Sequence, residues 1–387
     1  MKPCPCLFTI ALLLLALTPG ISASAQRGNP AVQEAEDGAV VCPPGVYLTQ
    51  PDDCLPLGPS AYLTKMGKMG IYFPLQPLPA YKPDWQLGLV PYVYFKVDSE
   101  GAPLYPSLEA AMEGRETSRS LEPGFVYVSY RDRVETKKGA FYLLGSGEWM
   151  LGRGSRISPH IFQGLLFSST PRSAFGWVLT QTESRRTPGY DGEITGHALS
   201  RFTIVQVYST QSIGNLEWEL IGPDEWVEAR FVAGLDPART PPQGVVTGRW
   251  IEINLYEQTL AVYEDNQLIF ATLLSSGVEP FWTRPGLFQI YKKKAIETMS
   301  GSFEPDRSDY YYLEDVPWTM YYDQARALHG VYWHTYFGYP QSHGCVNLSI
   351  GDARWLYDWA HEGDWVYVHD PSGRTPTDPA LYGAGAP

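Results

Sequence analysis

Cys345 lies in a stretch, residues 327–348 (ALHGVYWHTYFGYPQSHGCVNL), that also holds His329, His334 and His343. It is the only cysteine in the C-terminal half of the chain. A thiol near imidazoles has what a thiolate nucleophile needs, a base to take its proton. Glycines 330, 338 and 344 leave room for a substrate backbone to approach. The same residue types also suit an inert buried cysteine or nitrogen and sulfur ligands for zinc. Zinc is disfavoured, because no C-x-x-C or H-E-x-x-H spacing occurs. A serine hydrolase is disfavoured too, since there is no G-x-S-x-G elbow. On a regular strand His329 and His334, five residues apart, point to opposite faces, so only one of them can serve the thiol.

Order and spacing sharpen this. His329-Gly330 comes first, and Ser342-His343-Gly344-Cys345-Val346-Asn347 follows, with 16 positions (345 − 329) between base and thiol. The pattern resembles the active-site motif of the L,D-transpeptidases with a YkuD-type catalytic domain: His-Gly or His-Ser, a gap, then Ser/Thr-His-Gly-Cys, a hydrophobic residue and Asn. The resemblance covers residues 247–369. Thr283, Pro285 and Gly286 are similar to the family's T-P-x-G entry, with Arg284 inserted.

The resemblance implies Cys345 as nucleophile, His329 as base and Gly330 as the residue whose carbonyl orients the imidazole. Gly344 and Cys345 N–H groups would face the oxyanion. Ser342, His343, Gly344 and His334 would line the substrate side, and Asn347 would be a structural hydrogen-bonder. It implies peptidoglycan stem peptides as partners, with no metal and no cofactor. Cys345 would displace D-Ala from a tetrapeptide stem, and an amine would resolve the thioester to a 3→3 cross-link. Acylation by carbapenems is expected on the same ground. Two alternatives stand beside this: an L,D-carboxypeptidase, in which water replaces the amine, and a non-catalytic wall-binding protein.

The whole chain sets the frame. Its 387 residues suggest two or three domains. With 29 basic against 42 acidic residues the net charge is −13, which argues against nucleic acid. Residues 1–25 read as a signal peptide: Lys2, an apolar run from Leu7 to Leu17, and Ala23-Ser24-Ala25 as the cleavage site. That run is shorter than the about 20 residues of a membrane span. An extracytoplasmic protein is expected, without a transmembrane segment after cleavage, and a monomer. In that compartment Cys42 and Cys54 could form a disulfide, leaving Cys345 as the odd thiol.

The expected fold is mainly β. Residues 26–90, rich in proline and glycine, read as a leader segment. Short alternating runs suggest a small SH3-like β module at 91–180 and a second at 181–235, on a weak echo between YLLGSGEWM and WELIGPDEWVEARFV. Trp149, Trp177 and Trp226 would fill barrel cores or bind a partner. A linker follows at 236–246, then a β-sandwich-like catalytic domain at 247–369. RWIEINLYEQ alternates as a half-buried strand, and Glu264-Asp265-Asn266 turns a hairpin. Trp318 and Tyr322 are cleft candidates. Ser349 caps a short helix after the cysteine, with Asp352 completing a capping box and Gly363 as its stop. The tail 370–387 reads as disordered.

Overall fold

A computed structural model describes residues 40–41, 55–56, 66–67, 77–158 and 162–383. Residues 1–25, read from sequence as a signal peptide, most of the stretch read as a leader, and both Cys42 and Cys54 lie outside the described residues. Met1–Lys65 and Met66–Pro387 form two units; in the first, Val40–Val41 pairs with Leu55–Pro56. The second, mainly β, carries the site.

In catalytic-domain order the elements are β1 (Trp250–Asn254), β2 (Thr259–Glu264), β3 (Gln267–Leu273), β4 (Gly286–Gln289) and β5 (Lys292–Gly301). There follow β6 (Tyr311–Asp323), β7 (Arg326–Gly330), β8 (Val346–Leu348), α1 (Ile350–Trp359) and β9 (Trp365–His369). One sheet runs β4-β9-β1-β2-β3. A second carries β5-β6-β7-β8, with β7 and β8 parallel.

The β1–β3 alternation is two-sided. Ile251, Ile253, Leu260, Val262 and Phe270 face a core shared with Met320, Leu328, Val346, Ala353 and Leu356. Trp250, Ala261, Tyr263, Ala271 and Leu273 face the opposite core, with Trp250 stacked on Tyr263 at 4.3 Å. A strand expected to be half-buried is therefore covered on both faces. Asp265 and Asn266, both at positive φ, make the β2–β3 turn at the expected place.

What covers the second face corrects the expected module boundaries. Phe175, Trp177, Leu179, Ala233 and Leu235 pack there, each fully buried aromatic stabilising by about 2–3 kcal/mol. Strand Leu165–Phe167 extends the first sheet by pairing with β3. Strand Phe125–Thr136 runs parallel to β6, Phe125 opposite Tyr311, and brings Val93–Val97 with it. The stretch 91–180 is thus not a free-standing module, because five of its strands belong to the sheet that carries the cysteine turn. Strands between Thr182 and Glu228 do form a five-stranded sheet of their own. The echoed segments are both hairpins, Gly139–Leu144 with Trp149–Leu151 and Leu216–Gly222 with Glu225–Glu228. Trp177 and Trp226 are buried, as the core reading requires, and Trp149 is half-buried.

Ser349 caps α1, its hydroxyl accepting from Asp352 N–H at 3.2 Å. The capping box is incomplete: the buried Asp352 carboxylate accepts instead from Gly164 N–H (2.9 Å) and Thr272 Oγ1 (2.7 Å). Burial holds its pKa up at about 6. The helix ends at Ala360, and Gly363 makes the next turn. The tail is not disordered through Gly383. Thr375 bonds Asp370, Pro379–Leu381 forms a short helix, and Arg326 donates to Gly383 O at 3.2 Å. Residues 384–387 lie outside the described residues.

Candidate active site

Strands β7 and β8 bring the motif's two halves together. In their parallel register His329 lies beside Asn347, and Leu328 beside Val346. Cys345 lies in the bend just before β8, two residues ahead of Asn347, and its sulfur sits against the β6–β7 connection, near Ala325 O and the Ala327 N–H. Across β7 on its other side, Tyr321 pairs with Ala327, and by the same register Thr319 comes opposite His329. The opposite face carries Met320, Leu328 and Val346 into the core. A one-residue slip of β7 would drive the imidazole into that core.

His329 is 2% exposed, and its Nδ1 lies 3.1 Å from Gly330 O. A carbonyl only accepts, so the ring proton sits on Nδ1 and the Nε2 lone pair is free. Gly330 is small for a separate reason: a Cβ there would meet Pro317 Cγ at 3.1 Å and Ala353 Cβ at 3.3 Å, pushing α1 off β7. Burial lowers the His329 pKa to about 4, the Gly330 carbonyl opposing the shift.

Cys345 is half-buried and its sulfur lies 3.9 Å from Ala325 O. Burial pushes the thiol up from its usual range. A backbone hydrogen bond from Ala327 and the Arg326 charge pull the other way. The resting pair is therefore neutral thiol and neutral imidazole, not the preformed thiolate that a nearby imidazole would favour.

The turn carrying the thiol is held by its own small residues. Ser342 Oγ donates to Cys345 O at 2.6 Å and accepts from Gly344 N–H at 3.1 Å. Thr283 Oγ1 donates to Gly344 O at 3.0 Å and accepts from Gly277 N–H at 2.9 Å. Gly344 sits at φ +115°, where a Cβ would be strained and only 3.2 Å from Arg326 Nε. These contacts change two expectations. Gly344 N–H is already spent on Ser342, which removes it as an oxyanion donor, and Ser342, 6% exposed, braces the turn instead of lining the substrate side. Cys345 N–H has no partner among the described hydrogen bonds.

His334 does not point away from His329. The strand ends at Gly330 and the chain turns, so the two rings come near enough that the charge of one depresses the other. Burial is the larger cause, and the His334 pKa falls to about 4. Its Nδ1 accepts from Tyr336 N–H at 3.2 Å, and its Nε2 lies 2.9 Å from the Asn347 carboxamide. His343 is exposed and packed among Phe281 (ring centres 4.7 Å), Phe303 (5.2 Å) and Tyr311 (6.0 Å). No spacing in the sequence marks those three aromatics. Trp318 packs tilted against Tyr357 and lies under Arg354, while Tyr322 is 3% exposed against Phe288. Neither lines an open cleft. Also unforeseen, Asp323 is held by Arg284 and Arg326 beneath the cysteine turn, which gives the inserted Arg284 a structural partner. Among the described residues no three His, Cys, Asp or Glu side chains converge on a metal-sized site.

Residues 248–368 match the YkuD family, the L,D-transpeptidase catalytic domain. The chain thus carries a YkuD-type L,D-transpeptidase catalytic domain. YciB of Bacillus subtilis, named after the same activity, is 26% identical over 127 residues, 28% of this chain and 59% of that protein. An L,D-transpeptidase structure from Stackebrandtia nassauensis is 27% identical, covering 35% of this chain and 60% of that one, with a TM-score of 0.27. The catalytic domain of the E. faecium L,D-transpeptidase is 25% identical over 33% of this chain and all of that one, TM-score 0.29. The chain spans about three fifths of the length of the first two.

Proposed function

We propose that this protein is an extracytoplasmic L,D-transpeptidase that forms 3→3 peptidoglycan cross-links through a Cys345 thioester. The observation that supports this most directly is buried His329, its proton fixed on Nδ1 by Gly330 O, on the strand that pairs in parallel with the one beginning next to Cys345. The free Nε2 takes the thiol proton as sulfur attacks the carbonyl of the third residue of a tetrapeptide stem. The S–C bond forms, the C–N bond to D-Ala breaks, and the leaving amine takes the proton from His329. An amine of a second stem then attacks the thioester, gives up its proton to the same imidazole, and frees the thiol. Cys345 N–H is the oxyanion donor left by the bracing of Gly344. His343 and its aromatic neighbours are placed to meet the stem. No step calls on a metal or cofactor, since the acyl group is carried by sulfur. Among the described residues no helix is long and apolar enough to cross a membrane. Export rests on the reading of residues 1–25 as a signal peptide. The stretch 181–235, read from sequence as a second SH3-like module, would orient the enzyme on the wall.

Incubation of the mature protein with a disaccharide-tetrapeptide, read by mass, tests the reading. A dimer lacking one D-Ala is expected. Tripeptide alone would make the protein an L,D-carboxypeptidase, and no change would leave wall binding.

A pH profile follows from the two shifted groups. His329, depressed to about 4, loses its function as base only as pH falls through about 4. The raised thiol adds nucleophile as pH climbs above neutrality. Acylation rate constants are expected to have no acid limb near 6.5 and to rise on the alkaline side. A limb at the ordinary histidine value would contradict the buried, neutral imidazole.

A further inference from the structure

The Asn347 carboxamide sits between the two histidines, beside His329 in the β7–β8 register and 2.9 Å from His334 Nε2. Oxygen and nitrogen of a carboxamide are told apart by their partners. Tyr336 N–H points at His334 Nδ1 from 3.2 Å, so that nitrogen must be the bare acceptor. A neutral imidazole then carries its proton on Nε2, and that proton needs an acceptor. With the Asn347 NH2 toward His334, two donors would face each other, and the Asn347 carbonyl oxygen would be buried without a partner. With the oxygen toward His334 the donor–donor clash is gone and the carbonyl has a partner: Nε2–H donates to Oδ1, and the NH2 takes the other, buried position.

We infer that His334 is a positioning residue: it holds the Asn347 carboxamide with its oxygen toward His334, so that the NH2 faces away from His334, beside His329 and two residues after Cys345. The consequence is electrostatic. A carboxamide turned the other way would present its negative end to the face where thiolate and oxyanion charge develop. Held this way it presents the positive end of its dipole. His334 is itself kept off the proton-transfer path, because one nitrogen is tied to Tyr336 and the other to Asn347.

This inference rests on Cys345 being the nucleophile, and the test does not need turnover. Nitrogen-15 NMR of the full-length protein should show His334 as the Nε2–H form at pH 7. Iodoacetamide alkylation of Cys345 against pH should shift to higher pH in His334→Ala, with the rate at pH 7 down about tenfold. His334→Gln, whose amide can also donate to Oδ1, should recover most of it. Asn347→Ala should lose as much as His334→Ala, and the double variant no more than either. An Nδ1–H form of His334, or losses that multiply in the double variant, would overturn the assignment. Absence of transpeptidation in the wild-type protein would count against the proposed function alone, because tautomer and alkylation are read without substrate.

Discussion

Replacing Cys345 by alanine is expected to abolish turnover, by on the order of 10³-fold or more, and to remove covalent labelling by a carbapenem. The reason is structural as well as chemical. Only sulfur can carry the acyl group between stems, and the turn that presents it has no second nucleophile in place. Ser342 lies three residues away, but its hydroxyl is committed to Cys345 O and Gly344 N–H. Alanine fits the half-buried site without disturbing those bonds, so folding should be kept. Intact-mass measurement after carbapenem exposure checks this. Wild-type protein should gain one adduct and the variant none, and an adduct mapped to any other residue would remove Cys345 from its role.

His329→Ala is the second large effect. Proton transfer by a positioned side chain contributes roughly 10²–10⁴-fold, and with the thiol raised by burial little thiolate exists at neutral pH to compensate. Loss near the top of that range is expected at pH 7. It should shrink at high pH, as solvent ionises the thiol directly. His334→Ala, by contrast, keeps a measurable rate, because His334 acts through Asn347. Steady-state and single-turnover rates of both variants across pH separate the two. Equal losses, or a silent His334→Ala beside an active His329→Ala, would exchange their roles.

Legibility from sequence followed the range of the interaction. The β2–β3 turn needs two residues at positive φ, and Asp265-Asn266 announces it locally. Ser349 likewise marks the start of α1, because a cap is satisfied within one turn. Asp352 looked like the reciprocal half of that cap. Its carboxylate went to Gly164 and Thr272, since a buried charge takes the best donors in space and not the nearest in sequence. The module boundary at 180 failed for a related reason. Alternation shows that Phe125–Thr136 is a strand, but not that its partner is Tyr311–Leu313, nearly two hundred residues on. The tail's prolines and glycines suggested disorder, yet Arg326 and Asp370 hold it.

Residue identity and spacing by themselves determined the candidate groups: a thiol with a glycine before it, an imidazole sixteen positions upstream with a glycine after it, and the β-rich pattern around them. Tertiary structure alone decided how those groups behave. Parallel pairing of β7 with β8 brought the cysteine turn alongside the histidine strand, burial favours the neutral form of both groups, and Ser342 took the Gly344 N–H. Where the chain turned after Gly330, His334 came round to Asn347, contrary to strand periodicity. Protonation and hydrogen bonding depend on what lies within a few ångströms, and those neighbours come from distant parts of the chain.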